Sequence, residues 1–307
     1  MTRVAAVDCG TNSVRLLVAD VGPEGKVDVH REMRIVRLGQ DVDRAGVLAP
    51  EAIERTRVAL VEFAASCDRL QVEATRMVAT SATRDAGNRD EFTAMVQEAL
   101  GVAPEVIDGP LEAELSFLGA TARLDSSNGP FLVMDIGGGS TEVVLGTSSV
   151  QASRSVDIGC VRLTERYLHS DPPTVAEIAA ARAAVVDAVE LVRAVVSVEQ
   201  ARTAVGLAGS VTTVAALALG LPSYDSKAIH LSRLDARQVR DVTTSLLAQS
   251  REQRSGLAVV HPGRVDVIAA GALILCTLMD ELELPEVLIS EADILDGIAL
   301  SITQGRR

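Results

Sequence analysis

The chain has 307 residues, 48% of them hydrophobic, and a formal net charge of −13. That is room for about two domains of 100–200 residues, and it excludes a disordered chain. The acidic balance and the 2% aromatic content argue against nucleic-acid binding and against anionic membranes, while an anionic substrate stays open because backbone dipoles and a metal ion reverse the field inside a cleft.

From the N-terminus, Arg3 to Val7 is apolar, Asp8-Cys9-Gly10-Thr11-Asn12-Ser13 is a polar turn, and Val14 to Val21 is apolar again. That pattern predicts a β-hairpin. Val27 to Leu38 reads as a third strand, rich in Arg. Pro50 opens a helix that runs to about Leu70, with proline at a favoured first-turn position. Arg76 to Thr80 is a strand ending in a polar loop, Ser81 to Asn88. A helix to about Leu100, a short strand near Val106 and a helix from Pro110 to about Arg123 follow. Asp125 to Pro130 is the clearest linker signal.

The opening pattern then recurs. Phe131 to Met134 is apolar, Asp135-Ile136-Gly137-Gly138-Gly139-Ser140-Thr141 is the turn, and Glu142 to Leu145 resumes as a strand. A strand (Gln151 to Val156), helices from Val161 and from Thr174, and a strand (Ala204 to Leu207) come next. Gly209-Ser210 starts a helix, Arg264 to Leu282 is a long one, Val287 to Ser290 is a strand, and Asp293 to about Ile302 is a final helix. Within the long helix, Val267 to Met279 is too short to span a bilayer and reads as a buried core helix. Strands alternating with helices, a hairpin opening each half, give an α/β class with mixed sheets. The expected domains are 1–125 and 126–292, with a C-terminal helix at about 293–307 packing back on the first.

Each Asp-x-Gly-x-x-Ser/Thr turn has a chemical purpose. The glycine lets backbone N–H groups converge on phosphate oxygens. Thr11, Asn12, Ser13, Ser140 and Thr141 add side-chain donors. The leading carboxylates, Asp8 and Asp135, stand at the ends of buried strands, where Mg²⁺ can be held directly or through water. Cys9, Cys67, Cys160 and Cys276 form no C-x-x-C pair, so neither a zinc site nor a redox motif is supported, and a cytoplasmic protein without signal peptide is expected. His30, His169, His230 and His261 show no metal spacing.

These motifs together resemble the Ppx/GppA family, the exopolyphosphatases and guanosine pentaphosphate phosphohydrolases of the actin-like ATPase superfamily. The carrying segments are Asp8 to Arg15, Ala79 to Arg84 with Asn88, Gly109 through Ala113, Asp135 through Glu142, Gly159 through Glu165, Gly206 through Thr213 and Arg264 through Gly271. The likeness covers essentially the whole chain and is nearest the short, two-domain actinobacterial members. It implies two ribonuclease-H-like domains with a cleft between them. By motif, it implies that Glu112 is the catalytic glutamate acting on the attacking water. It implies that Asp135 and Glu142 hold Mg²⁺ and order water, and that Asp8 is the first-loop metal carboxylate. Arg84 then grips substrate phosphates, and Gly10 through Ser13 and Gly137 through Ser140 surround the terminal ones.

One position departs from the pattern: Leu111 stands where many relatives carry an acid next to the catalytic glutamate. Other positions stay open. Arg15 either reaches a phosphate or is an outward strand residue. Arg31 to Arg37 is either a basic track or a solvated edge strand. Gly209 and Ser210 contact a base or distal phosphate, or merely cap a helix. The leading expectation is Mg²⁺-dependent removal of the terminal phosphate of inorganic polyphosphate. The alternatives are removal of the 5′ phosphate of guanosine pentaphosphate, a guanosine tetra- or pentaphosphate sensor with little catalysis, and, more distantly, a sugar or glycerol kinase. The family also points to a homodimer.

Overall fold

In the computed structural model, which describes residues 1–304, the opening apolar run becomes β1 (Thr2–Cys9). It pairs antiparallel with β2 (Ser13–Gly22), and β2 pairs antiparallel with β3 (Gly25–Ile35). Helices α1 (Val42–Ala45) and α2 (Pro50–Arg69) lead to β4 (Ala74–Ala79), which lies parallel to β1. The expected loop from Ser81 is instead a short helix, α3 (Ser81–Asp85). Helix α4 (Arg89–Leu100), β5 (Glu105–Val106) and α5 (Gly109–Thr121) follow. The sheet order is β3-β2-β1-β4-β5.

Both faces of this sheet are covered, which is why β1 reads as a continuous apolar run rather than an alternation. On one face Ala5, Val7 and Leu16 meet Leu60 and Phe63 of α2 and Phe92 of α4. On the other, Val4, Ala6 and Leu17 meet Leu115 of α5 and Ile294, Leu295 and Ile298 of the C-terminal helix, Ile294–Gln304. That helix is pinned by its buried Asp296, which takes Lys26 Nζ at 2.7 Å and an Arg31 Nη2 at 2.9 Å. Residues 305–307 of the expected C-terminal helix lie outside the described residues.

By its contacts the chain forms two units. One is Met1–Gly119 together with the segment from Ile294, and the other is Ala120–Asp293. The division falls in the last turn of α5, a few residues before the Asp125–Pro130 turn.

The second unit repeats the plan. Strands β6 (Phe131–Ile136), β7 (Thr141–Gly146) and β8 (Val150–Val156) form an antiparallel run. After α6 (Cys160–Tyr167) and α7 (Val175–Arg193), β9 (Thr203–Leu207) joins parallel to β6. Then come α8 (Ala208–Ala218), α9 (Ser226–Ile229), β10 (Arg233–Asp235), α10 (Ala236–Ala248), α11 (Arg251–Ser255), α12 (Ile268–Glu281) and β11 (Glu286–Ile289). The order is β10-β11-β9-β6-β7-β8. Read from β8, it matches the first sheet strand for strand, with β10 added at the edge.

The core of this unit joins Leu132, Met134 and Ile136 of β6 to α7 and α12. Every residue of α12 from Ile268 to Met279 is buried, as expected of a core helix. It begins at Ile268 rather than Arg264 because Pro262–Arg264 forms a separate 3-10 turn. No described helix is long and apolar enough to cross a membrane.

Candidate active site

The two loops share one backbone device. Gly10 N–H donates to Ser13 O at 3.0 Å, and Gly137 N–H donates to Ser140 O, also at 3.0 Å. In each loop the carbonyls of the turn are claimed from behind. Thr11 O accepts from Gly39 N–H at 2.8 Å, and Asn12 O accepts from Val36 and Arg37 N–H. Gly137 O accepts from Cys160 N–H at 3.0 Å, and Gly138 O accepts from Val161 and Arg162 N–H in the first turn of α6. A planar trans peptide points its N–H opposite to its C=O. The amides of Asn12 and Ser13 in the first loop, and of Gly138 and Gly139 in the second, are therefore aimed away from their backing segments, so each loop by itself offers a pair of donors suited to an anion.

Two glycines allow that backing. A Cβ at Gly39 would sit 2.2 Å from Thr11 Cγ2, and one at Gly159 would sit 2.4 Å from the Gly138 carbonyl group. Gly39 lies outside every motif read from the sequence; only the fold reveals what it touches.

The carboxylates that open the loops have different neighbours. Asp135, Glu142 and Ser155 are cross-strand partners in a row over β6, β7 and β8. Side chains so paired lie on one face about 5 Å apart at Cβ. Asp135 and Glu142 are both buried, and Ser155 Oγ donates to Glu142 at 2.7 Å. In the first unit the matching partner of Asp8 is Arg15. Its Nε and Nη2 donate to Asp8 Oδ2 at 3.0 and 2.6 Å. The carboxylate expected to serve a metal thus already carries a cation from its own chain, and Arg15 is neither simply outward nor plainly aimed at a phosphate.

Glu112 sits in the first turn of α5 with 7% exposure. The helix start is capped by Asp108, whose carboxylate takes Leu111 N–H at 3.0 Å, so Glu112 is not needed as a cap. Its carboxylate instead takes Arg84 Nη1 at 3.0 Å, and the same nitrogen donates to Ile107 O at 3.0 Å. Arg84, from α3, is thereby aimed at the start of α5. Leu111 packs with the cluster of Val4, Leu17, Leu115 and the C-terminal helix. That packing accounts for an apolar residue at position 111.

Two expected phosphate ligands are turned elsewhere. The Thr141 hydroxyl is fully buried and donates to Ile158 O at 2.6 Å. Thr141 starts β7, and the strand's alternation points it inward while Ser140 stays in the turn. Ser210 is buried against α12: a Cβ on Gly271 would lie 2.2 Å from its Oγ. Gly209 carries the Arg264 guanidinium, 2.2 Å from where its own Cβ would be. The thiols take no part: burial pushes Cys9 and Cys160 up from the ordinary thiol range, so neither is a ready nucleophile.

Two mixed-sheet α/β units, each opening on a phosphate-type loop between paired strands, define the fold class. The chain belongs to the Ppx/GppA phosphatase family, whose model matches residues 17–305. It is 54% identical to Exopolyphosphatase 2 of Mycobacterium tuberculosis, over 98% of this chain and 99% of that one. Among solved structures it resembles an exopolyphosphatase-like protein, with a TM-score of 0.96 and 41% identity over 98% of this chain and 97% of the other. It also resembles the Aquifex aeolicus Ppx/GppA family member, with a TM-score of 0.84 and 31% identity over 100% of this chain and 99% of that one.

Proposed function

We propose that the chain hydrolyses the terminal phosphoanhydride bond of inorganic polyphosphate with Mg²⁺ and releases orthophosphate. The observation that carries the reading is the Glu112–Arg84 pair at the start of α5: a buried base bonded to the group that would grip its substrate. The 54% identical relative named an exopolyphosphatase supports the substrate class.

Among the described residues no three His, Cys, Asp or Glu side chains converge as a metal cage. Mg²⁺ does not need one, since it keeps several waters and takes one or two carboxylates plus substrate phosphates. Asp135 and Glu142 fit it, being hard oxygen donors side by side on one sheet face. Two neighbouring buried carboxylates repel each other unless a cation lies near. Bound there, Mg²⁺ would neutralise charge on the phosphate being transferred.

The chain's own residues do the rest. In each loop the turn supplies donors for phosphate oxygens: the Asn12 and Ser13 amides with the Ser13 hydroxyl in the first, and the Gly138 and Gly139 amides with the Ser140 hydroxyl in the second. An arriving phosphate competes with Glu112 for the Arg84 guanidinium, because both are anions suited to its fork. Glu112, so released, accepts the proton of the water that attacks the terminal phosphorus. The bond from that phosphorus to the bridging oxygen breaks, and the bridging oxygen stays with the shortened chain. Arg264 against Gly209 puts a positive group at the start of α8, the chemistry a distal phosphate requires.

The test is phosphate release from polyphosphates of several lengths, guanosine pentaphosphate and ATP, side by side. Fast release from polyphosphate supports the reading. Turnover confined to the pentaphosphate would reassign the substrate. Glu112→Gln is expected to lower the rate by about 10²–10⁴-fold with the fold intact. Near wild-type activity in that variant would remove Glu112 from its role.

A further inference from the structure

The two loops match in backbone and differ in charge at one place. Arg15 stands seven residues after Asp8, and Glu142 stands seven residues after Asp135. Each is the direct cross-strand partner of its aspartate. The turns between are closed by the same hydrogen bond, from Gly10 to Ser13 and from Gly137 to Ser140. The same structural position therefore holds a cation in the first unit and an anion in the second.

The cation is firmly placed. Both Nε and Nη2 of Arg15 lie within 3.0 Å of Asp8 Oδ2, and the Asp8 side chain is only 5% exposed. Guanidinium cannot be deprotonated in a protein. A divalent ion brought to Asp8 would have to meet that fixed positive charge at close range or expel it from a buried carboxylate, and both are unfavourable. In the second unit the partner position adds a carboxylate, so charge there favours a divalent ion.

We propose that Arg15 is a built-in cation at the first loop, standing where the second loop recruits a metal ion. Asp8 is then a positioning residue that holds the guanidinium, and divalent cations bind the second unit alone. The proposal rests on the hydrolase reading only in taking Asp135 and Glu142 as the cation ligands. It extends that reading by assigning the first loop a fixed charge of its own.

The decisive measurement is Mn²⁺ binding to the full chain, followed by the paramagnetic signal of the free ion, with thermal unfolding to confirm that each variant is folded. Wild type is expected to bind one ion. Asp8→Asn should keep that affinity within about threefold, whereas Asp135→Asn and Glu142→Gln should each lose about tenfold to a hundredfold. Arg15→Glu reproduces the carboxylate pair in the first loop and should gain a second site. A loss of tenfold or more in Asp8→Asn, with wild type binding normally, would overturn the proposal and leave the hydrolase reading standing. No binding to wild type would instead count against Asp135 and Glu142 as ligands. A site gained in Arg15→Glu would even then support the division of charge, and its absence would sink it. If Arg15→Glu does not fold, Asp8→Asn decides the matter alone.

Discussion

Ser140 and Thr141 are adjacent hydroxyls in one motif, and the strand that begins between them gives them different surroundings. Thr141 serves Ile158 O inside the second unit. Thr141→Val should therefore lower stability by about 1–3 kcal/mol, the cost of leaving a buried carbonyl without its donor. Its KM for polyphosphate should stay within about twofold of wild type. Ser140→Ala should show the reverse, with a raised KM and little change in unfolding temperature. Equal KM effects for the two would return Thr141 to the binding loop. Sequence could list these donors but not sort them, because the sorting depends on where β7 begins. Asp8 teaches the same lesson: the motif shows a carboxylate, and only the register of β1 on β2 shows that Arg15 is its partner. Glu112 was singled out only through the family resemblance of its motif, and the structure adds its bond to Arg84.

At the scale of elements, close approach decides the sign of glycine substitutions. Gly297 is interior to the C-terminal helix, where alanine would ordinarily gain about 1 kcal/mol. A Cβ there would lie 1.9 Å from Leu115 O, a backbone atom of α5. Overpacking of that kind typically costs about 1–3 kcal/mol, so the clash outweighs the propensity. Gly297→Ala should lower the unfolding temperature; a rise would mean that the helix shifts freely on α5.

Helix α7 offers a charge-dependent case. Glu177 takes the Thr174 N–H at 2.7 Å, and with the Ser170 contacts this holds its carboxyl at about 2, below the usual glutamate value. A folded-state pKa below the unfolded one gives stability that is present above the unfolded value of about 4.3 and is lost as pH falls through the folded one. The gap in unfolding temperature between wild type and Glu177→Gln should be steady from about pH 5 to 8 and close between about 4.3 and 2. A gap that does not change over that interval would mean the carboxylate's charge adds nothing to the cap.

For the whole molecule, the sequence carried the internal repeat and the order of most strands, since each hairpin announces itself by an apolar run, a polar turn and another apolar run. It was silent between about Leu219 and Gly263, where α9, β10, α10 and α11 are short or amphipathic and lack a strong motif. The packing of a C-terminal helix at about 293–307 back on the first domain was an expectation of the sequence, but which face it covers was not legible there. Its importance shows in what it covers. Ile294, Leu295 and Ile298 are each no more than 4% exposed and lie over Val4, Ala6 and Leu17. At about 1.5–3 kcal/mol for each fully buried large side chain, these three alone contribute roughly 5–9 kcal/mol. That is comparable to the whole stability of a domain, about 5–15 kcal/mol. A chain ending at Asp293 should therefore lose amide protection throughout β1, β2 and β4, because their second face would keep only the cover of α5. The amides of β6, β7 and β9 should keep theirs, since the core beneath them is built from α7 and α12. Hydrogen exchange on the shortened chain reads both sets at once. Retained protection in β1 would mean that the face toward the C-terminal helix contributes far less than its burial indicates.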